Sequence, residues 1–323
     1  MTGFPLRRVT LALSLGLAAP LVQAADAQAL FARMHQAGRS LDYEGTFVYQ
    51  RGDRMESLRI IHKTGVRGVR ERLVSLNGAP REIIRTDSEV RCYLPDENAA
   101  LIEHRRADNR SFPALLPDSL AQLKDNYNIH VGNQGRVAGR KTVSMHIMPR
   151  DAYRYGYLLW ADDASGLLLK ASLLDERGGV VEQYMFTQVN IGKPISESDL
   201  KPQYPTSGIV WQRAGDATPA PSAGKWTAER LPAGFTLSAR MMRMLPARQQ
   251  PVEHLVYSDG LAAVSVFIEQ AGSGDKSNVL SGLTHMGSVH AFGRIVDGHQ
   301  VTVVGEAPAL TVDMIGGSVR VGP

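Results

Sequence analysis

Cysteine is nearly missing from this chain. Cys92 is the only one in 323 residues, so no intramolecular disulfide can form and stability must come from packing. Its position far from the N-terminus also excludes acylation at a mature N-terminal cysteine. With no histidine near it in sequence, Cys92 reads as a buried, inert thiol. Long apolar runs are missing beyond the N-terminus, so no later segment is expected to span a bilayer. A dominant charge is missing too. The 36 Lys plus Arg stand against 32 Asp plus Glu, which argues against a general polyanion binder and against a nucleic-acid partner. There is no Gly-x-Ser-x-Gly elbow. The nine histidines are scattered without a recurring metal-ligand spacing. His285 and His290, five apart, fall on different faces of a helix or opposite faces of a strand. The run from Gly135 to Thr142 ends like a phosphate loop, but its glycines are one residue too close, Arg140 precedes Lys141, and a β-rich run follows; it reads as a turn between strands. No enzyme activity, metal or cofactor is expected, although a triad assembled from distant residues stays open.

What is present begins with an export signal. Arg7 and Arg8 precede an apolar run from Val9 to Ala19, and Val22-Gln23-Ala24 offers a cleavage site, so residues 1–24 are expected to be a signal peptide and the location the periplasm. Pro20 and Gln23 cut the run short of a membrane anchor. Losing Arg7 and Arg8 leaves 34 basic against 32 acidic residues. With 43% hydrophobic and 21% charged residues, the rest is an ordinary globular chain of about two domains.

Asp26 is placed to cap a short helix through Ala37, with Leu30, Phe31 and Met34 on one stripe and Gly38 as its stop. From Tyr43 the period becomes two. Strands are predicted at 46–50, 58–63, 69–76, 81–85 and 89–94, with Asn77-Gly78 favouring a type I′ turn. Residues 95–125, with Pro95, Pro113 and Pro117, read as an irregular stretch carrying a short helix near 118–124. Strands resume at 127–131, 141–148, 155–160, 167–174 and 180–191. Short strands in series joined by tight turns indicate an antiparallel sheet, curved or barrel-like, over residues 25–192. Residues 193–225, with Pro194, Pro202, Pro205, Pro219 and Pro221, read as a linker without regular structure. A smaller domain, 226–323, follows, with strands at 235–245, 253–258, 262–269 and 300–304, a mobile loop at 272–277 and a terminal helix after Pro308.

Two features could form a binding site. Arg67, Arg70, Arg72, Arg81, Arg85, Arg91, Arg105, Arg106 and Arg110 crowd one stretch, and guanidinium forks suit phosphate or carboxylate; solvated strand faces are the competing reading. Phe47, Tyr49, Tyr93, Tyr153, Tyr155, Tyr157, Trp160, Tyr184 and Phe186 lie on predicted strands, several at spacing two, so they share a face. That face is either an ordinary core or the wall of an apolar pocket on a curved sheet.

The runs Tyr43 to Tyr49 (YEGTFVY), Val69 to Gly78 (VRERLVSLNG), Gly135 to Arg140, Met148 to Gly156 (MPRDAYRYG), Asp163 to Lys170 (DASGLLLK) and Glu182 to Thr187 (EQYMFT) resemble the periplasmic regulators of the MucB/RseB family. So do Leu231 to Phe235 (LPAGF), Tyr257 to Ala262 (YSDGLA), Val264 to Glu269 (VSVFIE) and Val301 to Glu306 (VTVVGE). The likeness covers nearly the whole chain after residue 24, in order. It implies an α+β, mostly β fold: a large unclosed antiparallel barrel with helices in its mouth, similar to the lipoprotein carriers LolA and LolB, plus a small antiparallel sheet domain with a helix. It also implies a negative regulator of an envelope-stress sigma factor. Such a protein binds the periplasmic part of a transmembrane anti-sigma factor of the MucA/RseA type, shields it from site-one proteolysis and releases it when lipid or lipopolysaccharide binds. A homodimer is a further possible assembly. On this reading Phe47, Tyr49, Arg70, Arg72, Tyr93, Tyr155, Tyr157 and Tyr184 contact lipid, and Phe235, Arg240, Arg243, Tyr257 and Phe267 contact the protein partner. The rival readings are a lipoprotein or lipid carrier and a periplasmic hydrolase.

Overall fold

The computed structural model describes residues 19–66, 68–104, 112, 116–117, 119–204, 207–213, 217–219, 225–244, 250–271 and 280–322. The expected signal segment up to residue 18 and the loop at 272–277 lie outside these residues. Helix α1 runs over Ala19–Ser40. Asp26 is therefore inside the helix and does not cap it. Gly38 does not stop it either, since the Leu41 amide donates to Ala37 O at 3.3 Å. A single helical glycine costs only about 1 kcal/mol, less than the helix gains by seating Ala27, Leu30, Phe31, Met34 and Ala37 in the core.

Eleven strands follow: β1 (Tyr43–Arg51), β2 (Arg54–Lys63), β3 (Arg70–Ser75), β4 (Glu82–Arg85), β5 (Glu89–Leu94), β6 (Ala99–His104), β7 (Tyr127–Val137), β8 (Arg140–Pro149), β9 (Gly156–Asp162), β10 (Leu168–Leu174) and β11 (Val180–Ile191). They form one open antiparallel sheet, with β1 beside β11 and β7 at one end. Period-two alternation sends Phe47, Leu58, Ile60, Leu73, Leu159, Ala171 and Phe186 to the inner face, where α1 lies against β7 and β10. The phosphate-loop lookalike is the β7–β8 hairpin. Ala138 and Gly139 both have positive φ, 49° and 75°, between the paired Val137 and Arg140, which is the type I′ condition. At Asn77-Gly78 only Gly78 takes positive φ, so the expected type I′ turn is absent. Asn77 instead accepts from the Ser57 amide at 2.6 Å through Oδ1. The short helix expected at 118–124 is a single 3-10 turn over Ala121–Leu123.

The proline-rich stretch does build regular structure. Ser196 and Asp199 form a capping box around a 3-10 turn at Glu197–Leu200, and Ile195 and Leu200 pack on Ile61 of the outer sheet face. Strand β12 (Val210–Arg213) then adds to β6 in parallel, and β13 (Ala217–Pro219) joins the next sheet. The stretch is thus a strap on the outside of the first domain.

The second domain contains β14 (Trp226–Ala228), β15 (Thr236–Arg243), β16 (Val252–Ser258), β17 (Ala263–Gln270), β18 (Gly282–Met286), β19 (Val289–Val296), β20 (His299–Gly305), α2 (Ala309–Ser318) and β21 (Val319–Val321). Its sheet has the order β13-β15-β16-β17-β20-β19-β18, and β14 pairs with β21. Val264, Val266, Val301, Val303, Val312 and Ile315 make its core. Gly316 permits this packing: a Cβ there would come within 2.4 Å of the Phe292 ring.

Candidate binding site

Strand ends of the first sheet meet loops of the second domain, and the contacts are buried and charged. Arg154 and Asp259 are both fully buried in their side chains, with Nε 2.9 Å from Oδ2. The Tyr127 hydroxyl donates to the same Oδ2 at 2.9 Å. Burial, then the neighbouring Asp259 charge, pushes that phenol well above its ordinary range. The guanidinium lies between two rings, 5.5 Å from the centroid of Tyr127 and 5.3 Å from that of Phe235. It also donates to the Ala233 carbonyl. Asp259 Oδ1 accepts from the amides of Leu261 and Ala262, at 2.9 and 2.8 Å, which fixes the loop that presents it. One arginine of the first domain therefore anchors two loops of the second.

Farther along the seam, His290 Nδ1 lies 2.9 Å from Ala307 O, so that nitrogen carries the hydrogen. The Tyr155 hydroxyl donates to Ser288 O at 3.3 Å. Burial and the charge of Glu306 raise Tyr155 to about 12. Between the domains lies a cavity of about 630 Å³ lined by Gln122, Tyr157, Thr236, Ser238, Asp259 and Glu306 among others. Strand β13 covers β15 only at Met241–Arg243, so Thr236–Arg240 keeps one edge without a strand partner among the described residues.

The inner face of the sheet carries an aromatic row that leads to this seam. Tyr49 stacks on Tyr184 with centroids 4.6 Å apart, and Phe47 lies 5.8 Å from Phe186. Phe112, from the segment between β6 and β7, rests on this row: it stacks on Tyr184 at 5.2 Å and 8° and touches Phe47 and Phe186. Burial first, and then the Glu182 charge, pushes the phenols of Tyr184 and Tyr49 well up.

Residues 26–204 match the MucB/RseB N-terminal domain, and residues 220–320 match the MucB/RseB C-terminal domain. The chain belongs to the MucB/RseB family. It is 37% identical over 323 residues to the sigma factor AlgU regulatory protein MucB of Pseudomonas aeruginosa, covering 98% of each chain. It is 28% identical over 303 residues to the sigma-E factor regulatory protein RseB of Escherichia coli K12, covering 91% of this chain and 90% of that one. A solved complex of Pseudomonas aeruginosa MucA and MucB superposes with a TM-score of 0.72 at 33% identity, covering 92% of this chain and 99% of that one. A structure of MucB with MucA(peri) gives 0.70 at 32%, covering 92% and 100%. The mostly β, two-sheet architecture expected from the sequence is thereby that of the family.

The site residues expected from the sequence fall in different places. Phe47, Tyr49 and Tyr184 share the inner face, Tyr157 lines the cavity, and Tyr155 is in the seam. Arg70 and Arg72 do not rim this face. They alternate with Leu73, point to the outer side, and pair with Glu197 and Glu82. Tyr93 also lies outside, edge-on to Trp211 at 5.7 Å. The other described members of the arginine cluster are paired as well: Arg81 with Glu56, Arg85 with Glu71 and Arg91 with Glu89. Arg67, Arg105, Arg106 and Arg110 lie outside the described residues. Among the expected partner contacts, Phe235 is in the seam and Tyr257 is core, its hydroxyl accepting from the Ala228 amide at 2.8 Å. Arg240 pairs with Glu253 and donates to Trp226 O at 2.7 Å. Phe267 stacks on His254 at 4.2 Å. Arg243 ends β15 at the pairing with β13. His285 and His290 are not on opposite faces. They sit across the β18–β19 hairpin, paired in register with rings 5.6 Å apart. Cys92 is half-buried, and burial raises its thiol. No group of three or more potential metal-ligating side chains occurs among the described residues, and none of their helices is long and apolar enough to cross a membrane.

Proposed function

We propose that this chain is an exported, periplasmic regulator that acts by binding rather than catalysis: it holds the periplasmic segment of a transmembrane anti-sigma factor and shields it from proteolysis. The observation that carries this reading is the likeness over both domains to MucB solved with MucA. The interdomain cavity, with the open edge of β15 beside it, is the contact region we favour. An extended segment can add to such an edge through main-chain hydrogen bonds while side chains enter the pocket. Thr236 and Ala263 line the cavity and are exposed, so tryptophan at either fills it without disturbing the core. Thr236→Trp and Ala263→Trp should each weaken capture of the anti-sigma periplasmic domain at least tenfold in calorimetry. Wild-type protein that does not bind that domain would end the proposal.

The ligand half of the proposal rests on the aromatic row. An acyl chain lying along Phe47, Tyr49 and Tyr184 would take the place Phe112 holds. Tyr184→Ala should therefore lower binding to phospholipid or lipid A vesicles by tenfold or more, whereas Arg70→Ala, on the outer face, should leave it unchanged. The reverse pattern would move the lipid site to the outside of the sheet. Acyl cargo co-purifying from lipoproteins would favour a carrier instead.

A further inference from the structure

The seam between the domains holds two carboxyl groups that share one hydroxyl. Ser288 Oγ lies 2.8 Å from Glu182 Oε2 and 2.7 Å from Glu306 Oε1. Ser288 is fully buried and Glu182 nearly so, while the exposed surface of Glu306 faces the interdomain cavity. A serine hydroxyl owns one hydrogen, and an ionised carboxylate has none to give. The hydroxyl can therefore satisfy only one of the two acids. The second contact closes only when that carboxyl carries a proton and donates it to Ser288 Oγ. Glu182 belongs to β11 of the first domain, whereas Ser288 and Glu306 belong to the second.

We propose that a single proton shared among Glu182, Ser288 and Glu306 latches the two domains together, so that this end of the seam closes in acid and loosens as the pH rises. Losing the proton places two negative charges on one buried hydroxyl, and their mutual repulsion opposes closure. Burial first, and then the Glu182 charge, raises Glu306 from its ordinary 4.5 to about 7, while the bond from Ser288 and the charge of Arg51 pull the other way.

The remaining groups around the pair do not replace the proton. From β1 come Tyr49 and Arg51, whose aliphatic stem packs on Gly287. From β11 comes Tyr184, a phenol that burial and the Glu182 charge push well above its ordinary range, so it brings no charge to the pair. From the loop before β9 comes Tyr155, and from β19 His290 with its Nδ1 hydrogen committed to Ala307 O. From the β10–β11 turn come Asp175 and Glu176, which add negative charge. Arg51 is the cation that offsets them. An acid whose value is higher in the closed form supports closure fully below the ordinary 4.5, and this support is lost as the pH climbs through about 7. Across that window the closing equilibrium changes by up to about tenfold per pH unit.

Hydrogen–deuterium exchange on the full chain tests this, with each amide corrected for its intrinsic rate at each pH. Amides of residues 153–157 and 287–291 should lose at least tenfold protection between pH 5 and pH 8, most of it below about pH 7, while Val301 and Val303 in the core of the second domain keep theirs. Glu306→Gln and Glu182→Gln each leave one acid for one hydroxyl, so each variant should hold its acid-level protection at pH 8. Two glutamine variants are used so that failure of one to fold leaves the other decisive. A wild-type profile flat across this range, or glutamine variants that track the wild type, would overturn the latch. None of these readouts involves an anti-sigma factor, so the latch stands or falls apart from the function proposed above.

Discussion

Arg154→Met should cost about 3–5 kcal/mol of folding free energy, seen as a lower urea midpoint, because it leaves Asp259 charged, buried and without its cation. Both side chains of the pair are fully buried, so little solvent is at hand to take over. The loss reaches beyond one charge pair. Arg154 also lies against the rings of Tyr127 and Phe235 and holds the Ala233 carbonyl, so the loops presenting Ala233 and Asp259 lose a common anchor. The double variant Arg154→Met with Asp259→Asn separates the contributions. Asparagine keeps Oδ1 for the amides of Leu261 and Ala262 and removes the stranded charge. It should recover a large part of the loss, as neutral replacement of buried ion pairs commonly does. A single-variant cost under about 1 kcal/mol would mean that water reaches Asp259 in solution and that this part of the seam opens.

Glu82→Ala should be comparably damaging, for a different reason. Glu82 is fully buried and pairs with Arg72, and its carboxylate also accepts the amides of Gln203 and Tyr204, at 3.0 and 3.4 Å. Removing it strands one buried guanidinium and two strap amides, at about 3–5 kcal/mol in total. Exchange at residues 198–204 should rise to the rate of an open loop. Glu82→Gln keeps an acceptor for the amides and should fall between wild type and alanine. Arg70→Ala is the control. Arg70 pairs with exposed Glu197, whose carboxyl Arg70 and Lys63 hold well below the usual range, and this solvent-facing contact should matter far less. If Glu82→Ala left the strap protected, Ile195 and Leu200 on Ile61 would be holding it by themselves.

The sequence made the local features legible. Alternation marked ten of the eleven strands from Tyr43 to Ile191, whose inner faces fill one core cluster with α1, while β6 (Ala99–His104) fell in the stretch read as irregular. The helix after Pro308 was legible from its apolar run and became α2. What the sequence concealed depends on distant partners. Prolines between 194 and 221 argued against regular structure, yet β12 needs only four residues beside β6, a strand more than a hundred positions earlier. Tyr93 was grouped with the inner aromatics by residue type, and Arg70 and Arg72 were set at their rim. The parity of Arg70 and Arg72 against Leu73 could have placed those two outside, because Arg72 and Leu73 must face opposite ways. Arg154 and Asp259 gave no signal at all, since nothing in either neighbourhood announces that the two meet. His285 and His290 were misplaced because a hairpin turned between them at Gly287, whose φ is 63°.

The aromatic row and the seam meet at Glu182, whose charge acts on Tyr184 on one side and which is bonded to Ser288 on the other. Reciprocity of linked equilibria then has a concrete consequence. A guest that displaces the Tyr184 ring changes the surroundings of the Glu182 charge, hence how strongly Glu182 competes for its neighbour's hydrogen and how tightly the second domain docks. Rotating that domain must in turn alter the guest's affinity by the same factor. Measuring either quantity with the other fixed therefore gives both.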